Sequence, residues 1–336
     1  MMLPLVKALM QWKTRPGVIK KALADKKFPV CPPPPGSEGL RVACAQMELI
    51  SARNISEYVD WLYQPLLEAV KRGNQLFLYP EYVTLPLLGL LPVVDEEDGK
   101  KIDPGEVFRF VAPFLSQVYH KVFSGLAREA GIYIAAGSMF AVQKEKLYNT
   151  AHLFDPEGNL ILTQRKMNLV PLESQWGVET GSELEVVEID GGWRLAMPVC
   201  MDATYFEIFR LAGARGAHLV LVPIADINPD YSEHMALRGV WARVQEEPVF
   251  GIKSALVGNF FGFKFTGKAG IYAPGEITSD GEGVIAESQN PEQGNLVQAK
   301  LCRSLLEKAR AKKLSPPGEL YRDYLAESYE NLLKRK

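Results

Sequence analysis

Cys200, Glu81, Lys166 and Glu173 supply a thiol, two carboxylates and an amine, the residue types of a nucleophile, a base and a charge-stabilising group. Cys200 stands at the end of the apolar run Leu195–Val199 and just before a predicted helix. Thr204 with Glu207 three residues on reads as a capping box, which places a helix N-terminus within a few residues of the thiol. Unpaired amides and the helix dipole there favour thiolate over thiol. Asp202 would oppose that charge, so its side chain is expected to turn towards backbone amides. A cysteine nucleophile needs a base, and the histidines are poorly placed for it, because His152 and His218 lie inside apolar strands and read as core or edge histidines. Glu81 is better placed. It ends the apolar run Gln75–Pro80, and the C-terminal end of a buried strand is where α/β folds put their sites. Lys166 follows Thr163-Gln-Arg directly after another strand, and Glu173 comes seven residues later. Taken singly, each charge reads as a solvated loop residue; at the ends of three strands they form a joint pattern.

The elements that must hold these groups are legible from residue 40 onwards. Leu40–Gln46 and Gln75–Pro80 read as strands around a helix that starts near Asn54, where Asn54 and Glu57 make a capping-box-like pair and Pro65 predicts a kink. The apolar spacing from Val107 to Leu126 predicts a second long helix, about Gly105 to Gly131, and Ile132–Gly137 a strand. Leu147–Phe154 and Leu160–Gln164 form a hairpin about Asp155-Pro-Glu-Gly158; Leu184–Ile189 and Trp193–Val199 repeat the pattern about Asp190-Gly-Gly192. Helices over 204–215 and 232–247 alternate with strands His218–Pro223 and Val249–Val257, and Gly270–Ala273 pairs with Val284–Ala286. Gly281-Glu-Gly283-Val-Ile-Ala286 mimics a dinucleotide fingerprint but precedes a strand, so it reads as a hairpin turn. Strands that alternate with helices in some places and pair as hairpins in others predict a mixed sheet covered by helices.

The boundaries are set by composition. Cys31-Pro-Pro-Pro-Pro-Gly-Ser-Glu-Gly39 is a stiff spacer, dividing an N-terminal arm and linker (1–38) from one α/β domain (39–302), followed by a charged helical tail (303–336) broken at Pro316-Pro317. The apolar start Met1–Met10 is interrupted by Lys7 and is too short for a membrane span or a signal segment. It is expected to pack on the body or a partner rather than on a membrane surface. Across 336 residues, 47% apolar and 23% charged, the net charge is −2, which gives no field to attract nucleic acid. Four scattered cysteines make no disulfide framework and no C-x-x-C pair, and the four histidines make no H-E-x-x-H. No metal or cofactor is expected, and a reducing cytoplasm fits best. Nor is there a G-x-S-x-G elbow or a phosphate loop.

The order Glu, Lys, Glu, Cys resembles the nitrilase superfamily, the carbon–nitrogen hydrolases with a Cys-Glu-Lys triad. The resemblance rests on Arg41–Gln46, Tyr79-Pro-Glu81-Tyr82, Arg165–Pro171, Cys200–Glu207 and Arg243–Glu246, and spans roughly four-fifths of the chain. It implies a four-layer αββα sandwich and pairing of subunits into a homodimer or larger homo-oligomer. It also implies Cys200 as nucleophile, Glu81 as general base, Lys166 as stabiliser of the tetrahedral intermediate and Glu173 as the second glutamate. Segments 80–92 and 171–177 are similar to an uncharacterised subgroup, some of whose members are fused to GNAT-type acetyltransferase domains. Cys200-Met-Asp202 is similar to the amidase-like branches, whereas nitrile-cleaving members commonly carry Cys-Trp-Glu. The resemblance thus implies cleavage of an amide or N-carbamoyl group of a small molecule, with Tyr82, Trp176 and Met201 as candidate substrate-contacting residues. Acyl transfer from the same thioester, a catalytically silent oligomeric scaffold and a papain-like pairing with His152 are the alternatives. Leu85–Leu91 beside the base reads as core or a subunit contact before a lid.

Overall fold

The computed structural model describes residues 2–92, 103–312 and 330; Pro316-Pro317 and the basic end 332–336 lie outside them. The chain opens with helices α1 (Met2–Lys13) and α2 (Pro16–Leu23), then β1 (Gly39–Glu48), α3 (Ile55–Lys71) and β2 (Leu76–Leu78). A 3-10 turn (Leu85–Leu90) follows, then α4 (Pro104–Ala130), β3 (Tyr133–Gln143), β4 (Lys146–Phe154), β5 (Leu160–Arg165) and the short α5 (Pro171–Gln175). Next are β6 (Val186–Ile189), β7 (Trp193–Ala196), a 3-10 helix (Cys200–Thr204), α6 (Phe206–Ala214) and β8 (Leu219–Ile224). The last stretch holds α7 (Glu233–Ala236), α8 (Val240–Glu246), β9 (Phe250–Phe260), β10 (Phe263–Phe265), β11 (Gly270–Tyr272), β12 (Val284–Glu287), β13 (Asn295–Cys302) and α9 (Arg303–Lys312).

Neighbouring strands run in the order β5-β4-β3-β2-β1-β9-β8-β7-β6, with β13 added to β1 and β11 to β9. The steps β3-β2-β1-β9-β8-β7 are parallel, and such strands carry apolar residues on both faces because each face is covered. Alternation along β1 shows it. Leu40, Val42 and Cys44 enter one core, and Ala43, Ala45 and Met47 enter another. The first core is an inner one, shared with Leu195, Leu219, Leu221 and Ile252 of the opposite half of the sheet; the second lies under α3 and α4. A third core packs Val220 and Val222 of β8 against Ile208 and Phe209 of α6 and Val240 and Val244 of α8. Three cores between four layers make the αββα sandwich, from a sheet folded back on itself.

Local signals explain most boundaries. The Asn54 side chain accepts from the Glu57 amide at 3.0 Å, and α3 runs unbroken through Pro65. Asp103 caps α4, and Gly131 ends it in the left-handed conformation that glycine tolerates. Two expected helices are corrected. The helix over 232–247 is divided into α7 and α8, because Gly239 leaves helical geometry with ψ −132°. The helix over 204–215 starts at Phe206, and Thr204 does not cap it: its hydroxyl donates to the Met201 carbonyl at 2.8 Å and closes the 3-10 helix instead. Leu87, Leu88 and Leu90 are buried in the outer core, as the core reading requires. No helix among the described residues is long and apolar enough to cross a membrane.

His152 is buried beneath α4 against Tyr119 and His120, ring centroids 5.3 Å and 4.9 Å away. Burial, with His120 adding to it, holds its imidazole down to about 3 from the ordinary 6.5. A depressed imidazole contributes its full stability above the unfolded value and loses it as pH falls towards the folded one. We therefore expect the unfolding free energy from urea titrations to fall as pH is lowered below 6.5, by up to about 1.4 kcal/mol per pH unit, and less steeply in His152→Gln. Equal slopes in the two proteins would remove His152 as the cause.

Candidate active site

Three of the expected residues lie at strand ends, and Glu173 lies on a short helix among them. Glu81 comes three residues after β2, Lys166 directly after β5, Cys200 four residues after β7, and Glu173 sits in α5. The loop carrying Glu81 is held by a bulge in β3, where the register shifts between Ala135 and Ser138. Ser138 accepts the Tyr82 amide on its hydroxyl at 3.2 Å and the Val83 amide on its carbonyl at 3.0 Å. Gly137 is required there: its φ is +61°, and a Cβ would lie 1.9 Å from the Pro80 carbonyl oxygen.

Cys200 has φ +47°, a left-handed conformation costly for a residue with a Cβ, typically about 1–3 kcal/mol. Asp202 maintains it. Its carboxylate accepts the Val199 amide at 2.9 Å, the Asn168 amide at 2.7 Å and the Met167 amide at 3.2 Å. The expected turn of Asp202 towards backbone amides is thus present, and it ties the Cys200 turn to the two residues following Lys166.

The side chains meet in one buried cluster. Lys166 Nζ lies 2.9 Å from Glu81 Oε1 and 2.8 Å from Glu173 Oε2, with all three groups essentially excluded from solvent. Asn149, on β4, donates its amide to Glu81 Oε1 and to Glu173 Oε1, each at 2.8 Å. The Ala225 amide, just past β8, donates to Glu81 Oε2 at 2.9 Å. Glu173 also accepts the Val170 amide at 3.0 Å and the hydroxyl of Tyr82. Glu81 therefore holds three donors out of about four acceptor positions, which leaves one for the Cys200 thiol beside it.

Charge follows this geometry. Burial, reinforced by Glu173 and opposed by Lys166, raises the Glu81 carboxyl above its ordinary 4.5. Burial alone would neutralise Lys166, but Glu81, Cys200 and Glu173 outweigh it and keep the ammonium protonated. Burial and the neighbouring Glu81 charge push the Cys200 thiol well above its ordinary 9.0. This corrects the expectation of a helix-stabilised thiolate: the 3-10 helix separates Cys200 from α6, and the adjacent carboxylate disfavours a second negative charge. The site therefore sets a thiol with a raised pKa beside a carboxyl that is itself raised.

Tyr82 belongs to the cluster, stacked on Phe140 with centroids 4.9 Å apart and 5.9 Å from Lys166 Nζ to its ring. Trp176 joins it indirectly, through Phe140 and Phe108 at 6.1 Å and 5.3 Å. Met201, half-buried, follows Cys200 and accepts the Thr204 hydroxyl on its carbonyl. His218 sits elsewhere, its Nδ1 accepting the Arg194 amide at 2.9 Å. Sequence reasoning passed over Asn149 and Ala225. Asn149 left a signal, an amide followed by Thr150 inside the apolar run 147–154; Ala225 left none, because a backbone N–H acts there. Among the described residues no group of three His, Cys, Asp or Glu is arranged to hold a metal ion.

Residues 41–310 match the family model described as carbon-nitrogen hydrolase. The chain is 25% identical over 259 residues to "Probable hydrolase YhcX" of Bacillus subtilis, covering 75% of this chain and 48% of that protein. It is 25% identical over 191 residues to "Omega-amidase NIT2" of Bos taurus, covering 54% of this chain and 62% of that protein. The chain thus spans about half the length of the curated relatives it matches. In fold it is similar to the crystal structure of an amidase from Nesterenkonia sp., with a TM-score of 0.64, 23% identity, and 83% and 96% of the two chains covered. With four-fifths of its length matched, the chain belongs to the carbon–nitrogen hydrolase family, whose members act on carbon–nitrogen bonds other than peptide bonds.

Proposed function

We propose that the protein hydrolyses the amide or N-carbamoyl group of a small molecule through a thioester on Cys200. The observation that carries this reading is the shared carboxylate: Glu81 touches both the thiol and the Lys166 ammonium inside a buried cluster. Glu81 takes the thiol proton as Sγ attacks the carbonyl carbon; the carbon–sulfur bond forms and the π electrons move to oxygen. Lys166 and the Met201 amide hold that oxyanion, and Lys166 stays protonated throughout. The intermediate collapses, the amine leaves with the proton held by Glu81, and an acyl-thioester remains. Water then gives a proton to Glu81 and attacks, the carbon–sulfur bond breaks, and the proton returns to the sulfur. Relatives named as an omega-amidase and a formamidase support the amide class.

The test is a mass-spectrometric screen of small amides and N-carbamoyl compounds against the intact protein. An acyl-sized increment on the peptide carrying Cys200 is expected, with none on Cys31, Cys44 or Cys302; labelling spread over all four would overturn the reading. Product analysis with an added amine separates hydrolysis from acyl transfer. Because Glu81 must be ionised and its carboxyl is raised, kcat/KM should fall on the acid side with a midpoint above 4.5. A limb at or below that value would exclude Glu81 as base.

We further infer a homodimer through the outer face of α6, which exposes Tyr205, Phe206 and Leu211, each 38–45% accessible. Sedimentation velocity should show the parent as a dimer and Leu211→Glu as a monomer.

A further inference from the structure

We propose that α1 and α2 form a docking surface for anionic phospholipid membranes. The arm packs on the body, as one face of it must: Met10, Thr14, Ile19 and Ala22 are buried, Gln117 of α4 donates to the Thr14 carbonyl at 2.8 Å, and Lys13 donates to the Leu90 carbonyl at 2.7 Å. The opposite face is left uncovered. Leu5, Ala8 and Trp12 recur at spacings of three and four, one stripe along α1, with Leu5 68% and Trp12 61% accessible. The Arg15 guanidinium lies 4.8 Å from the Trp12 ring centre.

Charge decides what this stripe fits. Residues 1–27 carry seven lysines and arginines against the single carboxylate of Asp25, whereas the whole chain is at −2. Lys26 is neutralised by Asp25 and Asp60, and Lys27 by Glu129. Lys7, Arg15, Lys20 and Lys21 are exposed and have no ion pair among the described residues. An excess of exposed cations on the helices that carry an exposed tryptophan and leucine, with Arg15 against Trp12 itself, matches a lipid interface, where the indole sits at headgroup level and the cations meet phosphate. A two-fold contact with a second copy would set these cations against themselves. Nucleic acid would use the cations but leave the apolar stripe wet.

The test is flotation of the full chain with vesicles of phosphatidylcholine alone and of phosphatidylcholine mixed with phosphatidylglycerol. Binding is expected only to the mixed vesicles, with release at high salt. Lys7→Gln, Lys20→Gln and Lys21→Gln should each weaken it about fivefold, and Trp12→Ser by about tenfold or more. Circular dichroism and Cys200 labelling of the same variants report that they fold. Absence of binding, or binding indifferent to Trp12→Ser, overturns the proposal. So does a lower sedimentation mass of Trp12→Ser, which assigns the face to a second copy, or RNA binding in place of vesicle binding.

Discussion

Cys200→Ala is expected to reduce amide turnover by about four orders of magnitude or more while leaving the fold intact. The substitution removes the only atom that forms the covalent bond in the proposed mechanism. It removes the thiol's contact with Glu81 but leaves in place the hydrogen bonds of Glu81 to Lys166, Asn149 and Ala225, and of Asp202 to the amides around it, none of which involves sulfur. Alanine at φ +47° meets the same backbone cost as cysteine, so the melting temperature should stay near that of the parent. Initial rates on the amide identified by adduct formation, read beside a thermal melt, provide the check. Turnover retained by a folded Cys200→Ala protein would sink the thioester mechanism, whatever the fate of the family assignment.

Lys166→Met has the second large effect, and it falls on stability as well as rate. Two buried carboxylates depend on one ammonium, at 2.9 Å and 2.8 Å. Removing one partner of a buried ion pair costs about 3–5 kcal/mol, because the charge left behind has neither water nor counterion. Loss of the oxyanion donor should lower kcat by a further two to three orders of magnitude. The variant's stability also acquires a distinctive pH dependence. Without the ammonium the Glu81 carboxyl, already raised by burial, rises further, so the difference in urea midpoint from the parent should shrink as pH falls and widen as it rises. A difference independent of pH would mean that lost packing, not unpaired charge, destabilises the protein.

The sequence was most informative where burial imposes a pattern. Strands such as Gln75–Pro80 are apolar on both faces because cores lie on both sides, and the reactive side chains that follow strands at Glu81, Lys166 and Cys200 stand out against them. It was least informative where backbone conformation decides. Thr204 and Glu207 satisfy the capping spacing, but the left-handed Cys200 starts a tight turn that consumes Thr204 before the helix begins. Gly239 divides 232–247 although the apolar spacing continues across it. Asn149 reaches Glu81 across 68 positions of sequence, and the Ala225 amide across 144, distances over which no local spacing rule operates.

The Asp202 carboxylate has a mechanical consequence. Since one side chain both closes the Cys200 turn and anchors Met167 and Asn168, the segment that follows Lys166 and the segment that bears Cys200 share one anchor. Displacing either drags the other, so substitutions at Asn168 and Asp202 should cost far less together than the sum of their separate losses. In the proposed mechanism the two halves of the chemistry would therefore be registered by a residue that takes part in neither.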